Sequence, residues 1–507
     1  MLTLLLTLIS KPSVNSQSSV LEELFQNTHQ VFALQRNSLG IYRDSKVFSG
    51  ADFHPASTAN IGIGLIGLCI SDAMGWTTDA EEQVLQTLKS ILGLNEEFLP
   101  DRNASGYYRH FLDMNTGEQA WNSEYSTIDS GILTAGALFA RNYFCSNDDI
   151  VFYADQLWNS IDWSEAIANP ETGDIYREVV SEGSGKPGTE SRPFNEYMLV
   201  AWLAMHQEAT PDGPAHQLWE NHYSDPTSLP KRLYEGIELL ADSPEYFLSH
   251  FVIQFAYYLC HAFTSDDSYI YYLDNARRAD SLWWTLETDA EIFQWGLGAG
   301  SSPGDTSYVA LSLSHNPYQI YSPHIIAGFI PVYVQGAEHL VQLYNSSEEP
   351  YALPTSEMEQ ILWRRSLELR NWRAREVQGI DYASMLFGLA SHPIFLGDTF
   401  FMKYNNFFDF ECLVNNTAIP RRKRDLEILI FPNPFHSTLR LSTENIEGEV
   451  KIKVITLQGQ ILYQETNTIT PSSRLEVGLQ HLPAGIYQIS ILVEGKMLIE
   501  KIVKLYD

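Results

Sequence analysis

The sequence predicts a mostly α-helical protein: an (α/α)6 barrel followed by a small C-terminal β-sandwich of immunoglobulin-like type. Three observations carry this expectation. About a dozen helical segments, punctuated by Pro, Gly, Asp and Asn, follow one another from about residue 18 to 372. Strongly apolar segments such as 61–70 and 132–139 alternate with mixed ones such as 79–92, as inner helices covered by outer ones would. After Asn415 the texture changes to short runs of period two.

The chain opens with Met1-Leu-Thr-Leu-Leu-Leu-Thr-Leu-Ile-Ser10, an apolar run too short to span a bilayer. Val14-Asn-Ser-Gln17 offers small residues for cleavage, so 1–17 reads as a secretory signal peptide without its basic start. The helical domain occupies 18–415. Its helices are expected near 18–36, 57–74, 79–93, 126–144, 148–160, 195–206, 227–240, 247–263, 266–285, 323–344 and 356–372, with a further one near 382–390. No later stretch has the length and apolarity of a transmembrane helix. Arg421-Arg-Lys-Arg424, a basic cluster in an acidic chain, marks an exposed linker over 416–425. The last domain, 426–507, has strands at 426–431, 438–442, 450–456, 460–465, 474–477, 485–493 and 496–504. Turns fall at Gln458-Gly459 and Glu494-Gly495.

Composition narrows the class of ligand. At 507 residues the chain is too long for one ordinary core, and its 27 Tyr, 25 Phe and 11 Trp mark a folded, aromatic-rich protein. Sixty-three acidic residues against 32 basic ones give a formal charge of −31, which repels nucleic acid and anionic membranes and suits a neutral ligand. The four cysteines show no C-x-x-C spacing, so no metal or redox motif is indicated. Cys69, Cys145 and Cys260 sit in apolar helical stretches and read as small buried hydrophobes. Neither a metal nor a nucleotide nor an organic cofactor is expected.

The candidate place for chemistry is Trp121-Asn-Ser-Glu-Tyr-Ser-Thr-Ile-Asp-Ser-Gly131, which puts Glu124 and Asp129 in a hydroxyl-rich turn opening an apolar helix. Ser126 and Asp129 also fit a capping box, in which the Asp would serve only the helix end. Glu124 precedes the helix and has no capping duty. Upstream, Gly106-Tyr-Tyr-Arg-His-Phe-Leu-Asp-Met-Asn-Thr-Gly117 is an aromatic, polar segment of the kind that walls a sugar site. Glycoside hydrolysis needs a carboxylic acid to protonate the leaving oxygen and usually a second carboxylate as base or nucleophile. Glu196, in Phe-Asn-Glu-Tyr-Met at the start of another apolar helix, is the further candidate. Either Glu196 or Glu124 would be the acid, with Asp129 a helper or a cap. Tyr107, Tyr108, His110, Trp121 and Tyr197 are expected to form the stacking and hydrogen-bonding wall. Trp295 precedes the glycine-rich Gly-Leu-Gly-Ala-Gly-Ser-Ser-Pro-Gly-Asp305, which follows no strand and carries no Lys, so it reads as a substrate-lining loop, not a phosphate loop.

Two resemblances extend this reading. Ile430-Phe-Pro-Asn-Pro-Phe435, Val450-Lys-Ile-Lys-Val-Ile-Thr-Leu-Gln-Gly-Gln460, Leu482-Pro-Ala-Gly-Ile-Tyr-Gln-Ile489 and Lys501-Ile-Val-Lys504 together resemble the type A C-terminal sorting domain of the type IX secretion system of Bacteroidota. That resemblance implies export across both membranes to the cell surface or beyond, with the secretion machinery as a partner. Ala56-Ser-Thr-Ala-Asn-Ile-Gly-Ile-Gly-Leu65, Gly75-Trp-Thr-Thr78, His110-Phe-Leu-Asp-Met-Asn-Thr-Gly117, 123–140, Phe194-Asn-Glu-Tyr-Met-Leu199 and Trp295-Gly-Leu297 resemble, in order, the glucoamylase-like family that includes the β-1,2-glucanases of glycoside hydrolase family 144. It implies an (α/α)6 barrel and a poly- or oligosaccharide substrate.

The chain departs from that family's pattern in three places, one of them Pro317-Tyr-Gln-Ile-Tyr-Ser-Pro-His324, which stands for an Asp-Gly-rich stretch. Ser249-His-Phe-Val-Ile-Gln254 carries an amide where an acid is usual, and Ser301-Ser302 stands where the family has an acid, the nearest one being Asp305. His250, Gln254, Trp295 and Asp305 are accordingly expected to touch substrate. These departures keep open a degenerate carbohydrate-binding protein, and the Tyr and His residues keep open a polysaccharide lyase, beside the leading expectation of a glucan-type glycoside hydrolase.

Overall fold

The computed structural model describes residues 14–412 apart from 244, 305–307 and 347–348, and in the tail 428–431, 435–443, 448–456, 461–469, 474–493 and 496–504. Most of the expected signal peptide (1–13), the linker 416–425 and Asp305 lie outside the described residues.

Among the described residues the helices are α1 (Val14–Gln35), α2 (Thr58–Ala73), α3 (Ala80–Ile91), α4 (Thr127–Tyr143), α5 (Asp148–Asn159), α6 (Met198–Gln207), α7 (Pro214–His222), α8 (Phe251–Leu259), α9 (His261–Thr264), α10 (Asp267–Glu287), α11 (Pro323–Gly328), α12 (Gly336–Tyr344), α13 (Gly379–Ala390) and α14 (Thr399–Tyr404). Helices α2, α4, α6, α8, α11 and α13 touch in that order, and α13 returns to α2, closing a ring. Outside it lie α1, α3, α5, α7, α10 and α12, each against an inner helix. This is the layering of an (α/α)6 barrel, and the sequence pattern explains it. Inner α2 is buried from Thr58 to Ser71, whereas outer α3 buries one side, Ala80, Val84, Thr87, Leu88, Ser90 and Ile91.

Two glycines set the spacing where α2 crosses α4. A Cβ at Gly62 of α2 would collide with the backbone of Ile132 and Leu133 on α4, and one at Gly136 would collide with the backbone of Gly62. The helices therefore meet backbone to backbone, which fixes the positions of their N-termini relative to each other.

Several helical expectations are corrected. The 227–240 segment is a hairpin of Lys231–Tyr234 and Ile237–Leu240 turning at Glu235-Gly236, both at positive φ. Its apolar spacing imitates a helix, but that turn chemistry prevails. The expected 323–344 helix breaks into α11 and α12 around Pro331, and 247–263 breaks at Cys260. Residues 356–372 form no helix: Ile361, Leu362 and Trp363 are buried in succession, which a one-sided helix cannot do, and extended pairs at Gln360–Ile361 and Arg365–Ser366 take its place. The α7 helix, begun by Pro214 after Gly213, went unforeseen, and so did α14.

Cys145 is also corrected. It is not a free buried thiol but is disulfide-bonded to Cys412, closing 267 residues of chain and tying the end of the helical domain to the C-terminal end of α4. Cys69 and Cys260 are buried and free, as expected.

In the tail, Ile428–Phe431, Thr438–Thr443 and Arg474–Gly478 form one antiparallel sheet. Ile461–Ile469, Gly448–Thr456, Gly485–Val493 and Lys496–Lys504 form another. Leu439, Leu441, Val477, Val450, Ile452, Val454, Ile489 and Ile491 alternate along their strands into one shared core.

Two predictions follow from these contacts. Gly136→Val should force α2 and α4 apart and lower the thermal midpoint by the equivalent of about 1–3 kcal/mol or more, measured by scanning calorimetry. Reductant should lower the midpoint of the wild type, the entropic worth of so long a loop being about 5 kcal/mol, and should leave that of Cys145→Ser unmoved.

Candidate active site

The N-terminal ends of the inner helices α4, α6, α8 and α13 line a cavity of about 1270 Å³. The entrance is built the same way more than once. Ala56–Ser57 pairs with Phe111–Leu112 and leads into α2, where the Ser57 hydroxyl accepts from Asn60 N–H. Tyr125–Ser126 pairs with Glu178–Val179 and leads into α4, where the Ser126 hydroxyl accepts from Asp129 N–H. Glu376–Gln378 leads into α13, whose first turn carries Asp381. Asp129 and Asp381 are thus both third residues of inner helices, at the positive end of the helix dipole and in the cavity wall.

Of the reciprocal bonds of a capping box only one is made. Helix α4 is capped by Ser126 through the backbone N–H of Asp129, while the N–H of Ser126 donates to Tyr108 O and not to the Asp129 carboxylate. The carboxylate is left facing the cavity.

The 106–117 segment joins the two entrances. The His110 carbonyl accepts from Thr58 N–H and its own N–H donates to Glu124 O. Its ring stacks on Phe111 and lies between two acids, Nδ1 3.0 Å from Glu124 Oε1 and Nε2 3.6 Å from Asp129 Oδ1. Burial alone would lower the imidazole's pKa; the charges of Asp129 and Glu124 outweigh it and raise it to about 9. In the same cavity His54 repeats the device, 3.4 Å from Asp44 and 2.9 Å from Glu376, and is likewise raised to about 9 against the effect of burial. Behind the Glu124 segment, Arg109 lies over Tyr125, pairs with Asp101 and donates to Ser123 O.

The carboxylates are pushed in opposite directions. The hydrogen bond from His110 holds Glu124 below the ordinary carboxylate range. Burial, reinforced by the negative charges of Asp129 and Asp381, raises Glu196 to about 7. Burial likewise raises Asp129, and it takes Asp381 to about 7 although Tyr308 donates a hydrogen bond to it at 2.8 Å. Glu196 sits in the turn just before α6, facing the same cavity as Tyr197.

Trp121 and Asn122 both take the left-handed conformation, at φ 53°, which non-glycine residues adopt at a cost of about 1–3 kcal/mol. The backbone twist holds the Trp121 indole on the cavity rim, 54% exposed, with the rings of His54 and Phe111 about it.

Of the residues expected at the site, His110, Trp121, Glu124, Asp129, Glu196 and Tyr197 line this cavity, as do Ser301 and Ser302 of the glycine-rich loop. Others do not. Tyr107 and Tyr108 are fully buried, their hydroxyls donating to Asp162 O and Ile91 O. Trp295 is buried and donates to His339. His250 is buried on Asp280 at 2.6 Å, and Gln254 is buried and donates to Ile325 O. Their motifs are structural: Asp280 also accepts from Gly296 and Leu297 N–H and so anchors the loop that carries Ser301.

Sequence reasoning missed Asp44, His54, Tyr308, Glu376 and Asp381. Asp381 had a signal. Gln378-Gly-Ile-Asp381 repeats the spacing of Ser126-Thr-Ile-Asp129, but a helix begun at 382 leaves it out. Asp44 and Glu376 had none, because strand pairing of Ser45–Val47 with Glu376–Gln378 alone brings them together.

Residues 429–505 match the family of secretion system C-terminal sorting domains. The chain ends in such a sorting domain. Among curated proteins no match is found. Among solved structures, the helical domain is similar to an endo-β-1,2-glucanase from Chitinophaga pinensis in complex with sophorotriose and glucose. Identity is 16% and the TM-score 0.63, over 77% of this chain and 97% of that one. It is similar also to a β-1,2-glucanase from Parabacteroides distasonis, at 15% identity and TM-score 0.61 over 78% and 59% of the two chains. The endo-β-1,2-glucanase from Talaromyces funiculosus with sophorose gives 12% and 0.55 over 77% and 86%. At such identities the likeness is one of fold. No described helix is long and apolar enough to cross a membrane.

The two histidines predict a pH-dependent stability. A folded-state pKa of about 9 against an ordinary 6.5 gives a contribution present below pH 6.5 and lost as pH rises through 9. Thermal midpoints followed from pH 6 to 10 should therefore fall less steeply in His54→Gln and in His110→Gln than in the wild type.

Proposed function

We propose that the protein is an exported glycoside hydrolase of the cell surface or the surrounding medium, acting on a β-linked glucan, with β-1,2-glucan the first substrate to test. The observation that carries this reading is the opposed tuning of two carboxyl groups in one cavity, Glu196 raised to about 7 and Glu124 lowered by His110. Such a split supplies an acid and a base at the same pH. The exported context rests on the sorting domain, and the substrate class is supported by the fold shared with β-1,2-glucanases.

In this mechanism protonated Glu196 gives its proton to the glycosidic oxygen as the bond to the anomeric carbon breaks. Glu124, kept ionised by His110, takes a proton from the water that attacks that carbon. Asp129, linked to the same imidazole, keeps His110 charged and oriented. Burial first, and then the negative charge of Asp129, keep Glu196 protonated, while Tyr308 holds the Asp381 carboxyl in the same cavity. Trp121 and Phe111 offer ring faces to pyranose rings. Part of the motive for the two competing expectations lies away from the site: the amide of Gln254 is in the core, and the Tyr107 and Tyr108 hydroxyls face away from the cavity, whereas Ser301, Ser302, His110 and Tyr197 line it.

Purified protein should release reducing sugar from β-1,2-glucan, with kcat/KM falling as pH rises through 7 and Glu196 ionises. Glu196→Gln should lower kcat by about 10²–10⁴ and remove that alkaline limb. Absence of release from a panel of β-glucans by the wild type, or a Glu196→Gln variant with wild-type kcat, would overturn the proposal.

A further inference from the structure

Beside the main cavity lies a second one of about 310 Å³ that shares its wall. Phe53, His54 and Trp121 line both. The two shared aromatic side chains are the exposed ones, Phe53 at 49% and Trp121 at 54%. The Phe53 ring lies tilted against His54 and under the Arg375 guanidinium, whereas the Trp121 indole meets the rings of His54 and Phe111 edge to face. Beyond the shared wall the smaller cavity is lined by Arg43, Asp113 and Asn115, among others. Asp113 accepts from the backbone N–H groups of Asn115 and Thr116, and these bonds hold its carboxyl below the ordinary range, leaving an ionised acceptor. A cavity of this volume, with ring faces on one side and acceptors and donors on the other, has the size and chemistry of a small-ligand subsite.

We infer that the smaller cavity is a distal sugar subsite, holding a residue of the glucan chain that lies outside the reacting cavity, with Trp121 and Phe53 as the rim over which the chain passes. The inference rests on the glucan reading above and deepens it. A neutral hexose suits the cavity, since its hydroxyls can donate to Asp113 and accept from Arg43 while its carbon-bound face lies on the indole. It follows that affinity rises with chain length at the step where the chain first crosses Trp121, and that chains too short to cross gain nothing.

The test fills the cavity from two independent positions at its edge, Asn115→Trp and Ala120→Trp, each checked for an unchanged thermal midpoint. Binding of a ladder of β-1,2-linked oligosaccharides is measured by calorimetry in the full chain carrying Glu196→Gln, with and without either filling substitution, and hydrolysis is measured in the chain with Glu196 intact. The expected result is a step in affinity of about tenfold at one chain length, abolished by both fillings. The matching hydrolysis result is a higher KM for long chains, with kcat unchanged and short chains unaffected. Affinity independent of length, or a step that survives both fillings, overturns the subsite. Hydrolysis by the wild type without a length step overturns the subsite alone. A length step in binding without hydrolysis by the wild type overturns the hydrolase reading and supports the subsite.

Discussion

The site depends on one packing constraint: the backbones of α2 and α4 touch at Gly62 and Gly136. That contact brings the capped N-termini at Ser57 and Ser126 close enough for a single segment, 106–117, to hydrogen-bond to both. His110 is placed by that bridge, and through it Glu124 and Asp129. A side chain at either glycine would separate the helix ends before any catalytic group was altered. Backbone contact within the apolar ring is therefore what gives the polar mouth its geometry.

Charge is the second organising element. Asp44, Glu124, Asp129, Glu196, Glu376 and Asp381 share one cavity, and so many carboxylates would repel one another if all were ionised in a desolvated space. Two devices relieve this. His54 and His110 each stand between a pair of acids as a cation, and Glu196 and Asp381 are driven toward the protonated form by burial. The same arrangement that makes the cluster tolerable leaves some carboxyl groups ionised and others protonated near neutrality, which is the condition for acid and base chemistry together.

The local signals that proved informative are those in which one short segment carries both a structural and a chemical pattern. Ser126 and Asp129 read as a capping box, and the structure divides that motif: its hydroxyl and backbone cap the helix while its carboxylate faces the cavity. Aromatic and histidine motifs were less informative. Tyr107, Tyr108, His250 and Trp295 belong to the most recognisable stretches of the chain, yet they hold the core or anchor a loop, because a large side chain looks the same in sequence whether its ring meets solvent or a neighbouring helix. Helical period failed where another local rule prevailed, at the Glu235-Gly236 turn and at Pro331.

By itself the sequence determined the helical domain and the strand-rich tail, the inner and outer character of α2 and α3, and the acids that lie beside a helix start, Glu124, Asp129 and Glu196. It did so because periodicity, caps and turn residues act over a few positions of chain. The tertiary structure alone decided that Asp44, His54 and Glu376 join the site, that Gln254 leaves it, and that Cys145 pairs with Cys412. Those outcomes depend on residues hundreds of positions apart being brought to one end of a closed ring. Burial and neighbouring charge, which set the protonation of Glu196, exist only once that ring has closed.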